Sequence, residues 1–517
     1  MPGRLRSGDA REGRIMLGAR DAGERTLLDQ AFTRAVGAPL VHGNAVRLLR
    51  DAGENYPAWL AAIAAAERYV HFESYIIHDD ATGARFADAL IARARDGIAV
   101  RVLYDWLGGV GKTSRRYWRR LRDAGVEVRV FNPPRLARPF DWITRDHRKT
   151  LTVDGEVAFV TGLCVGRMWE GDAAAGVAPW RDTGVALRGP AVADVERAFG
   201  RVWAACGPPL PHDPMKAHAT SSRGGHAGGM AVRVVAGEPW TGGLLRLDQL
   251  IAAAARESLW LTDAYFAGTP PYVQALLAAA RDGVDVRLLV PGGTDIPLLR
   301  PLSRAGYRPL LEGGVRVYEW NGPMLHAKTA VSDGRWARVG STNLNLASWL
   351  GNYELDVVVE DAEFADAMAH AFATDLGNAT EVVLEQRLTP VRRLALAPAD
   401  GAPRHRRERR HRGRRGHGSV GRAAAGALRL GNAVSAAIAG TRVLGRAEAS
   451  LFAGVAGALL ALAVVAVLWP WVVALPLAAL GAWLAIGLLG RAWALSRAPA
   501  ERYGGGRNGG GRNGGER

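Results

Sequence analysis

The octapeptide HRKTLTVD, His147–Asp154, places a histidine, a lysine and an aspartate on a stretch that otherwise has the composition of a β-strand. A second copy, HAKTAVSD, occupies His326–Asp333, and both fit the spacing His-x-Lys-x4-Asp. A small-residue turn follows each copy, Thr161-Gly162 in the first and Gly340-Ser341 in the second. Because residues i and i+2 of a strand share a face, each histidine is predicted to project beside its lysine.

The two octapeptides belong to a longer internal repeat. ARARDGIAVRVLYD at 92–105 matches AAARDGVDVRLLVP at 278–291, and each reads as an Ala-rich helix that ends at a glycine and leads into a strand. Upstream, ERYVHFESYI from Glu67 matches ESLWLTDAYF from Glu257. The sequence therefore predicts two homologous α/β halves, each a mixed sheet flanked by helices, packed as a pseudo-dimer.

Composition divides the chain into seven predicted segments. These are a charged N-terminal extension over 1–39, a first α/β half over 40–206, a linker over 207–229, a second α/β half over 230–380, an arginine-rich segment over 381–448, an apolar run over 449–490 and a Gly/Arg-rich tail over 491–517. The linker is rich in Pro, Gly and Ser. The N-terminal extension has no apolar core, so we predict neither a signal peptide nor an anchor there.

The apolar run predicts a transmembrane helical hairpin. Residues 449–490 carry no charge, and at ~1.5 Å per residue this run would form a helix about twice as long as a ~30 Å hydrocarbon core is thick. Pro470, between two tryptophans, marks the predicted turn. Arginines flank the run on both sides, which predicts that both ends, and the catalytic halves, face the cytoplasm. A buried pair of globular helices is the alternative.

The net charge of +16 indicates a polyanionic partner. Its densest part is Arg404–Arg415, which holds eight arginines and one glutamate. Beside a transmembrane segment such a run is predicted to bind an anionic membrane, and the alternative is a solvated tail. Two cysteines, Cys164 and Cys206, exclude a disulfide framework and the paired-cysteine zinc spacing.

Two histidines brought together by a pseudo-two-fold arrangement suit displacement at a phosphodiester. One imidazole attacks phosphorus, while the other protonates the leaving alcohol and then deprotonates the incoming one. Lys149 and Lys328 would bind the non-bridging oxygens. Asp182 and Glu354 hold matching positions and are candidates to orient the imidazoles, each for the histidine of its own half or of the other. The scheme needs no metal and no cofactor.

The paired motifs resemble the phospholipase D superfamily over roughly residues 40–378. Within it, GNAVRLLRDAGENYPAWLAAIAAAERYVHFESYIIHDD from Gly43 and WRDTGVALRGPAV from Trp180 are similar to bacterial cardiolipin synthases. The resemblance implies transfer of a phosphatidyl group between two phosphatidylglycerol molecules with release of glycerol, and leaves phosphatidylethanolamine open as a donor. It also implies a bacterial inner-membrane location.

The resemblance implies roles for individual residues. His147 would be the nucleophile and His326 the general acid, with Ser341 and Asn343 near the substrate. Cys164 stands where the first motif would carry a second asparagine, and a thiol is a weaker donor than an amide. The motif aspartates, Asp154 and Asp333, are motif members that we interpret as turn-capping carboxylates, because each precedes a glycine.

Two other functions use the same sequence features. A phospholipase D-type phosphodiesterase would hydrolyse a lipid or a nucleic acid with the same two histidines, but a nuclease has no need of a bilayer anchor, so no nucleic acid is expected as a partner. A non-catalytic lipid-binding protein is disfavoured because both His/Lys pairs are intact. The tryptophans Trp106, Trp118, Trp142 and Trp169 are interpreted as core residues, with an acyl-chain groove as the alternative.

Overall fold

The first half of the chain forms a mixed sheet with helices against it. The computed structural model describes residues 28–134, 143–211, 226–295 and 303–384, and scattered helical residues between 457 and 489. The elements of the first half are β1 Val41–Arg50, α1 Asp51–Ala64, β2 Tyr69–Ser74, α2 Ala81–Arg95, β3 Ala99–Asp105, α3 Trp106–Gly109, α4 Arg115–Asp123, β4 Glu127–Phe131, β5 Arg145–Asp146, β6 Lys149–Val153, β7 Val157–Thr161, α5 Arg167–Glu170, β8 Thr183–Arg188 and α6 Val192–Ala205.

The second half repeats this order of elements. They are β9 Met230–Gly237, α7 Gly243–Ala254, β10 Ser258–Thr262, α8 Pro270–Arg281, β11 Asp285–Pro291, α9 Tyr307–Glu312, β12 Arg316–Trp320, β13 Thr329–Ser332, β14 Trp336–Gly340, a π-helix Ala347–Gly351, β15 Asn352–Glu360, α10 Ala362–Leu376 and β16 Ala379–Val382. The predicted α/β class with two homologous halves is confirmed.

Strand order shows the two-fold relation between the halves. In the first half the order is β1-β8-β7-β6-β2-β3-β4, and in the second it is β9-β15-β14-β13-β10-β11-β12, with β16 added at the edge. The strands β2, β3 and β4 run parallel to one another, as do β10, β11 and β12. All other neighbours in these two orders pair antiparallel. The short strand β5 lies outside both orders and pairs parallel with β15. The halves join where β1 pairs antiparallel with β9.

The described residues form five apolar clusters, and the three largest hold the layers together. The first packs α1, α2 and α4 on the first sheet, and the second packs α7, α8 and α9 on the second sheet. The third contains strands of both halves together with α6 and α10. In that core α6 packs against β9, and α10 packs against β1. Because each of these helices contacts the first strand of the other half, the two sheets have a fixed relative position.

The motif aspartates form the turns of two matching hairpins. Asp154 and Asp333 have φ of 56° and 52°, and the glycine after each is also left-handed. Asp-Gly is the pair that a two-residue turn with positive φ favours. The Asp154 carboxylate accepts the backbone N–H groups of residues 67–69, at 2.7–2.8 Å, and the Asp333 carboxylate accepts those of residues 256–258. Both carboxylates therefore fasten a hairpin to the start of the neighbouring strand.

The predicted membrane hairpin, 449–490, falls largely outside the described residues, as do the arginine-rich segment and the tail. Within the part of the chain that the structure describes, no helix combines the length and the apolar character needed to cross a bilayer. By internal contacts the chain separates into two compact units, one of Met1–Pro133 and Trp142–Ala453, the other of Pro134–Asp141 and Gly454–Arg517. Both α/β halves belong to the first unit.

Replacing Asp154 by alanine is expected to lower the free energy of unfolding by about 1–3 kcal/mol, because three backbone N–H groups, one of them buried, lose their acceptor. Asp333→Ala should do the same in the second half. Urea unfolding followed by circular dichroism measures the change. Replacement of the exposed Asp123 is the control and should have an effect under about 0.5 kcal/mol. An unfolding midpoint equal to that of the wild type would contradict the turn-fastening role.

Candidate active site

The backbone brings the two histidine segments to the centre of the molecule by pairing each with the other half. The His147 N–H donates to Tyr353 O at 2.9 Å, and β5, just before His147, runs parallel to β15. The His326 N–H donates to Arg181 O at 2.7 Å in the equivalent arrangement. In both cases the accepting carbonyl belongs to the residue that precedes a candidate carboxylate. The backbone pairing therefore fixes each imidazole beside the other half's acidic residue.

The side chains form two matching hydrogen bonds across the halves. His147 Nδ1 lies 2.9 Å from Glu354 Oε2, and His326 Nδ1 lies 2.7 Å from Asp182 Oδ2. Both carboxylates are fully buried. The sequence left open whether each carboxylate orients the histidine of its own half, and the structure pairs it with the histidine of the other.

Further contacts fix each carboxylate. Ser341 Oγ donates to Glu354 Oε2 at 2.6 Å, and Asn352 Nδ2 donates to Oε1 at 3.1 Å. The Thr183 N–H donates to Asp182 Oδ1 at 2.8 Å. A Cβ at Gly162 would lie 2.2 Å from Asp182 Oδ1, which explains the small residue in the turn after the first motif.

The two lysines are buried beside the histidines. Lys149 Nζ donates to the His147 carbonyl, and Lys328 Nζ donates to the His326 carbonyl. Both side chains are almost inaccessible to solvent. The lysine of each half also lowers the pKa of the other half's histidine, so all four groups belong to one electrostatic cluster. The structure thus brings both His/Lys pairs of the sequence prediction into a single site.

A pair of tyrosines flanks this cluster, and sequence reasoning missed it. The Tyr75 ring lies 4.9 Å from the His147 ring, and the Tyr265 ring lies 5.9 Å from the His326 ring. Lys149 Nζ lies 5.3 Å from the centre of Tyr75 and Lys328 Nζ lies 5.7 Å from that of Tyr265, within range of cation–π attraction. Both tyrosines hold the ninth position of the matched strands ERYVHFESYI and ESLWLTDAYF, which is the signal that would have found them.

Arg148 is a second residue that the sequence did not single out. Its guanidinium is fully buried and donates to the carbonyls of Glu354, Ala198 and Gly237 at 2.8–3.0 Å. Three carbonyl acceptors satisfy the hydrogen-bond donors of this buried cation, and its charge also acts on the buried Glu73 and Asp146. Arg148 therefore ties the first histidine segment to the strand that carries Glu354.

Burial determines the charge state of the imidazoles. It lowers the pKa of His147 to about 4, with Glu354 opposing and Lys149 reinforcing the change. For His326, burial and then Lys328 lower the pKa to about 3, against the opposing effect of Asp182. Both imidazoles are therefore neutral at pH 7, with Nδ1 donating to the carboxylate and the lone pair on Nε2.

The partners of the imidazoles stay charged. Although burial alone raises the pKa of Asp182 and of Glu354, the adjacent imidazoles and lysines hold both pKa values below the ordinary range. Burial lowers the pKa of Lys328 to about 8 despite the nearby Asp182, and it lowers the pKa of Lys149 as well. At neutral pH the cluster thus holds ionised carboxylates behind the imidazoles and ammonium groups beside them, an arrangement suited to an anion.

The remaining predicted residues have separate places. Asn343 is buried and its amide Nδ2 donates to Ser348 Oγ at 3.5 Å. Cys164 is buried, and the charge interactions of its thiol include both lysines of the cluster. Asp154 and Asp333 lie at the far ends of β6 and β13, about 16 Å along the strand from the lysines. Within the described ranges no group of three or more His, Cys, Asp or Glu side chains is arranged to hold a metal ion.

Sequence comparison identifies the relatives of this composite site. A family model described as cardiolipin synthase, PLD-like domain, matches residues 59–166 and 247–376. Cardiolipin synthase A of Pseudomonas aeruginosa is 34% identical over 71% of this chain and 73% of its own length. The chain belongs to the cardiolipin synthase family of phospholipase D-like enzymes.

Other members of the cardiolipin synthase family show similar likeness. Cardiolipin synthase 2 of Bacillus anthracis is 34% identical over 66% of this chain, and the chain spans 66% of that relative. Among solved structures, the phosphatidylserine synthase of Haemophilus influenzae superposes with a TM-score of 0.54 and 14% identity, over 70% of this chain and 94% of that one. That likeness concerns the fold. The segments that the family model matches contain both His/Lys pairs and Glu354, and Asp182 lies between the two segments.

The depressed histidine pKa values predict a pH dependence of stability in this cardiolipin synthase family member. Unfolded histidine titrates near 6.5, so between that pH and the folded pKa the unfolded chain binds more protons, and stability falls as pH is lowered. From pH 7 to pH 5 each of the two histidines should lower the free energy of unfolding by about 2 kcal/mol. His326→Gln removes the contribution of this histidine to the pH dependence. The difference in unfolding free energy between wild type and variant should therefore change by about 2 kcal/mol from pH 7 to pH 5. A difference independent of pH would contradict the neutral buried imidazole, and the exposed His370→Gln serves as control.

Proposed function

We propose that the chain is a cardiolipin synthase that transfers a phosphatidyl group from one phosphatidylglycerol to another and releases glycerol. The observation that carries this proposal is the composite site, in which two oriented imidazoles and two ammonium groups from both halves form one electrostatic cluster. The names of the relatives support the choice of lipid. Phosphatidylethanolamine is the alternative donor.

The first step forms a covalent intermediate. His147 Nε2 attacks the phosphorus of the donor, a P–N bond forms, and the P–O bond to the glycerol headgroup breaks. His326 Nε2 gives its proton to the departing oxygen, so glycerol leaves as the neutral alcohol. Lys149 and Lys328 bind the non-bridging oxygens as their charge increases. Glu354 stabilises the cationic imidazole that results.

The second step reverses the proton flow. A hydroxyl of the acceptor phosphatidylglycerol loses its proton to His326 Nε2 while its oxygen attacks phosphorus. The P–N bond breaks, His147 returns to the neutral form, and the product carries two phosphatidyl groups on one glycerol. Asp182 stabilises the protonated His326 before the first step and again after the second.

The general acid must be protonated when the donor is bound, although His326 is neutral in the free protein. A phosphodiester anion favours the cationic form of an imidazole beside it, so the substrate raises the pKa that burial lowers. One proton is therefore taken up from solvent by His326 when the substrate binds, and Nε2 of His147 stays free to attack. Both buried imidazoles can therefore stay neutral until the substrate binds.

Membrane location is part of the proposal. The uncharged run 449–490 supports a transmembrane hairpin, and Arg404–Arg415 supports contact with anionic lipid on the cytoplasmic side of a bacterial inner membrane. The proposed substrates lie in that membrane. No role is assigned to nucleic acid.

Purified full-length protein incubated with labelled phosphatidylglycerol in detergent tests the reaction. Cardiolipin and free glycerol in equal amounts are the expected products. Phosphatidic acid with glycerol would instead indicate hydrolysis, the reaction of the phosphodiesterase alternative, and absence of both products would contradict either enzymatic function.

Exchange of the histidines separates their roles. His147→Ala should lower turnover by at least about 10³-fold and abolish the acid-labile label that denaturing gels detect on the quenched protein. If that label persists in His147→Ala and disappears in His326→Ala, the two roles are reversed. The exposed His370→Ala is the control and should retain both turnover and label.

The cross-half carboxylates predict a separate effect. Glu354→Gln and Asp182→Asn keep the shape of the side chain but remove the charge that stabilises the imidazolium, so turnover should fall by about 10²–10⁴-fold. Glu196→Gln, at a buried carboxylate outside the cluster, is the matched control and should stay within about threefold of wild type. Equal turnover in Glu354→Gln and Glu196→Gln would rule out the orienting role. Rapid-quench measurement shows which step is slowed.

A further inference from the structure

The two histidines have different neighbours despite the pseudo-symmetry. His326 contacts the rings of Trp169 at 5.9 Å and Trp180 at 5.6 Å, in addition to Tyr265. Trp169 and Trp180 also contact each other at 4.9 Å, and both are buried. We call these two residues the aromatic wall. It belongs to the first half and covers a histidine of the second.

The repeat places a polar residue at the position equivalent to Trp169. Ser348 follows His326 by 22 residues, as Trp169 follows His147. Its Oγ accepts a hydrogen bond from Asn343 Nδ2 at 3.5 Å. The position equivalent to Asn343 is Cys164, so a hydrogen-bonded polar pair in the second half is replaced by an apolar pair in the first.

The second residue of the aromatic wall shows the same exchange. Trp180 precedes Asp182 by two residues, and Asn352 precedes Glu354 by two. Asn352 donates to Glu354, the carboxylate that orients His147. At two positions the second half thus carries a hydrogen-bonding side chain where the first half carries an indole ring that contacts His326.

The chain between the two tryptophans is also longer. Ten residues lie between Trp169 and Trp180, whereas three lie between Ser348 and Asn352. The Trp180 N–H donates to Met168 O at 3.0 Å, which closes the base of this longer loop and seats both indoles together. The aromatic wall is therefore built by the local fold as well as by the residue types.

We propose that Trp169 and Trp180 select the acceptor, favouring a lipid alcohol over water at His326. This inference rests on the proposed transferase function. A water molecule held in a buried site needs about three hydrogen-bond partners. The carbon atoms of the two indoles offer none, and the buried Trp169 Nε1, which has no partner among the described residues, offers a single donor. The carbon chain of a glyceryl acceptor, by contrast, packs favourably on an aromatic face.

The choice of acceptor decides the product without changing the bonds that break. In both outcomes the P–N bond to His147 breaks and His326 Nε2 takes a proton from the attacking oxygen. A lipid alcohol gives cardiolipin and water gives phosphatidic acid. The aromatic wall acts on the ratio of these two products, because it contacts the base that activates either oxygen.

The test exchanges the aromatic wall for the residues of the other half-site. Full-length Trp169→Ser and Trp180→Asn are incubated with labelled phosphatidylglycerol in mixed micelles, and the ratio of phosphatidic acid to cardiolipin is measured. We expect that ratio to rise about tenfold or more in each variant, the size of discrimination that one altered pocket contact gives. A ratio equal to that of wild type in folded variants overturns the inference.

Matched controls separate specificity from general damage. Ser348→Ala and Asn352→Ala alter the equivalent positions of the second half and should leave the ratio within about twofold of wild type. Equal rises in these variants would also overturn the inference. Because Trp169 lies in the core, Trp169→Leu and Trp180→Phe, which keep the wall apolar, should keep the ratio even if the serine variant fails to fold. A high ratio in folded Trp180→Phe contradicts exclusion of water by an apolar surface.

The wild-type reaction distinguishes this inference from the function on which it rests. Wild-type protein that forms neither product contradicts the proposed function, and the acceptor selection with it. Wild-type protein that forms cardiolipin, with Trp180→Asn keeping the same ratio, leaves the transferase intact and overturns the acceptor selection alone.

Discussion

The hydrogen bonds between Glu354 and His147 and between Asp182 and His326 are the interactions on which the site depends. A fully buried carboxylate is costly unless it is paired, and each of these carboxylates finds its partner in the other half. This pairing requires the two halves to be held in a fixed relative position. The junction of β1 with β9, and the helices that cross onto the opposite sheet, hold the halves in the register that these bonds need.

Burial has two opposed effects at this site. It lowers the pKa of both imidazoles, which keeps Nε2 unprotonated and nucleophilic. It also lowers the pKa of both lysines, which disfavours their charged form. The same low-dielectric surroundings strengthen attraction for an arriving anion. The proposed phosphodiester would therefore supply the negative charge that both lysines and one protonated histidine require, and the site completes its charge balance with substrate.

Much of the fold followed from the internal repeat. Matched copies of helix, strand and motif predicted two similar halves, and the structure gives both the same strand order. The Asp-Gly pairs predicted turns because few residues accept positive φ. The transmembrane hairpin remains a prediction, since it falls largely outside the described residues.

The pairing across the halves was beyond the sequence, because a repeat is equally compatible with a carboxylate orienting its own histidine. The burial of Trp169 agrees with the reading of tryptophans as core residues, and so does that of Trp118. Periodicity cannot show that a core indole also touches a histidine from the other half. Tyr75 and Tyr265 were within reach, because their equal positions in the repeat were visible, whereas Arg148 has no equivalent that would draw attention to it.

The exchange of partners between the halves limits how such a duplicated chain can change. When a motif is duplicated, one copy can ordinarily accumulate substitutions without loss of function. Here each copy carries the carboxylate that is hydrogen-bonded to the histidine of the other. Under the proposed mechanism, loss of Asp182 would silence the second motif and loss of Glu354 the first, so neither copy is spare. The two copies differ at Cys164, Trp169 and Trp180, and these are the positions to which the proposal assigns the different tasks of the two histidines.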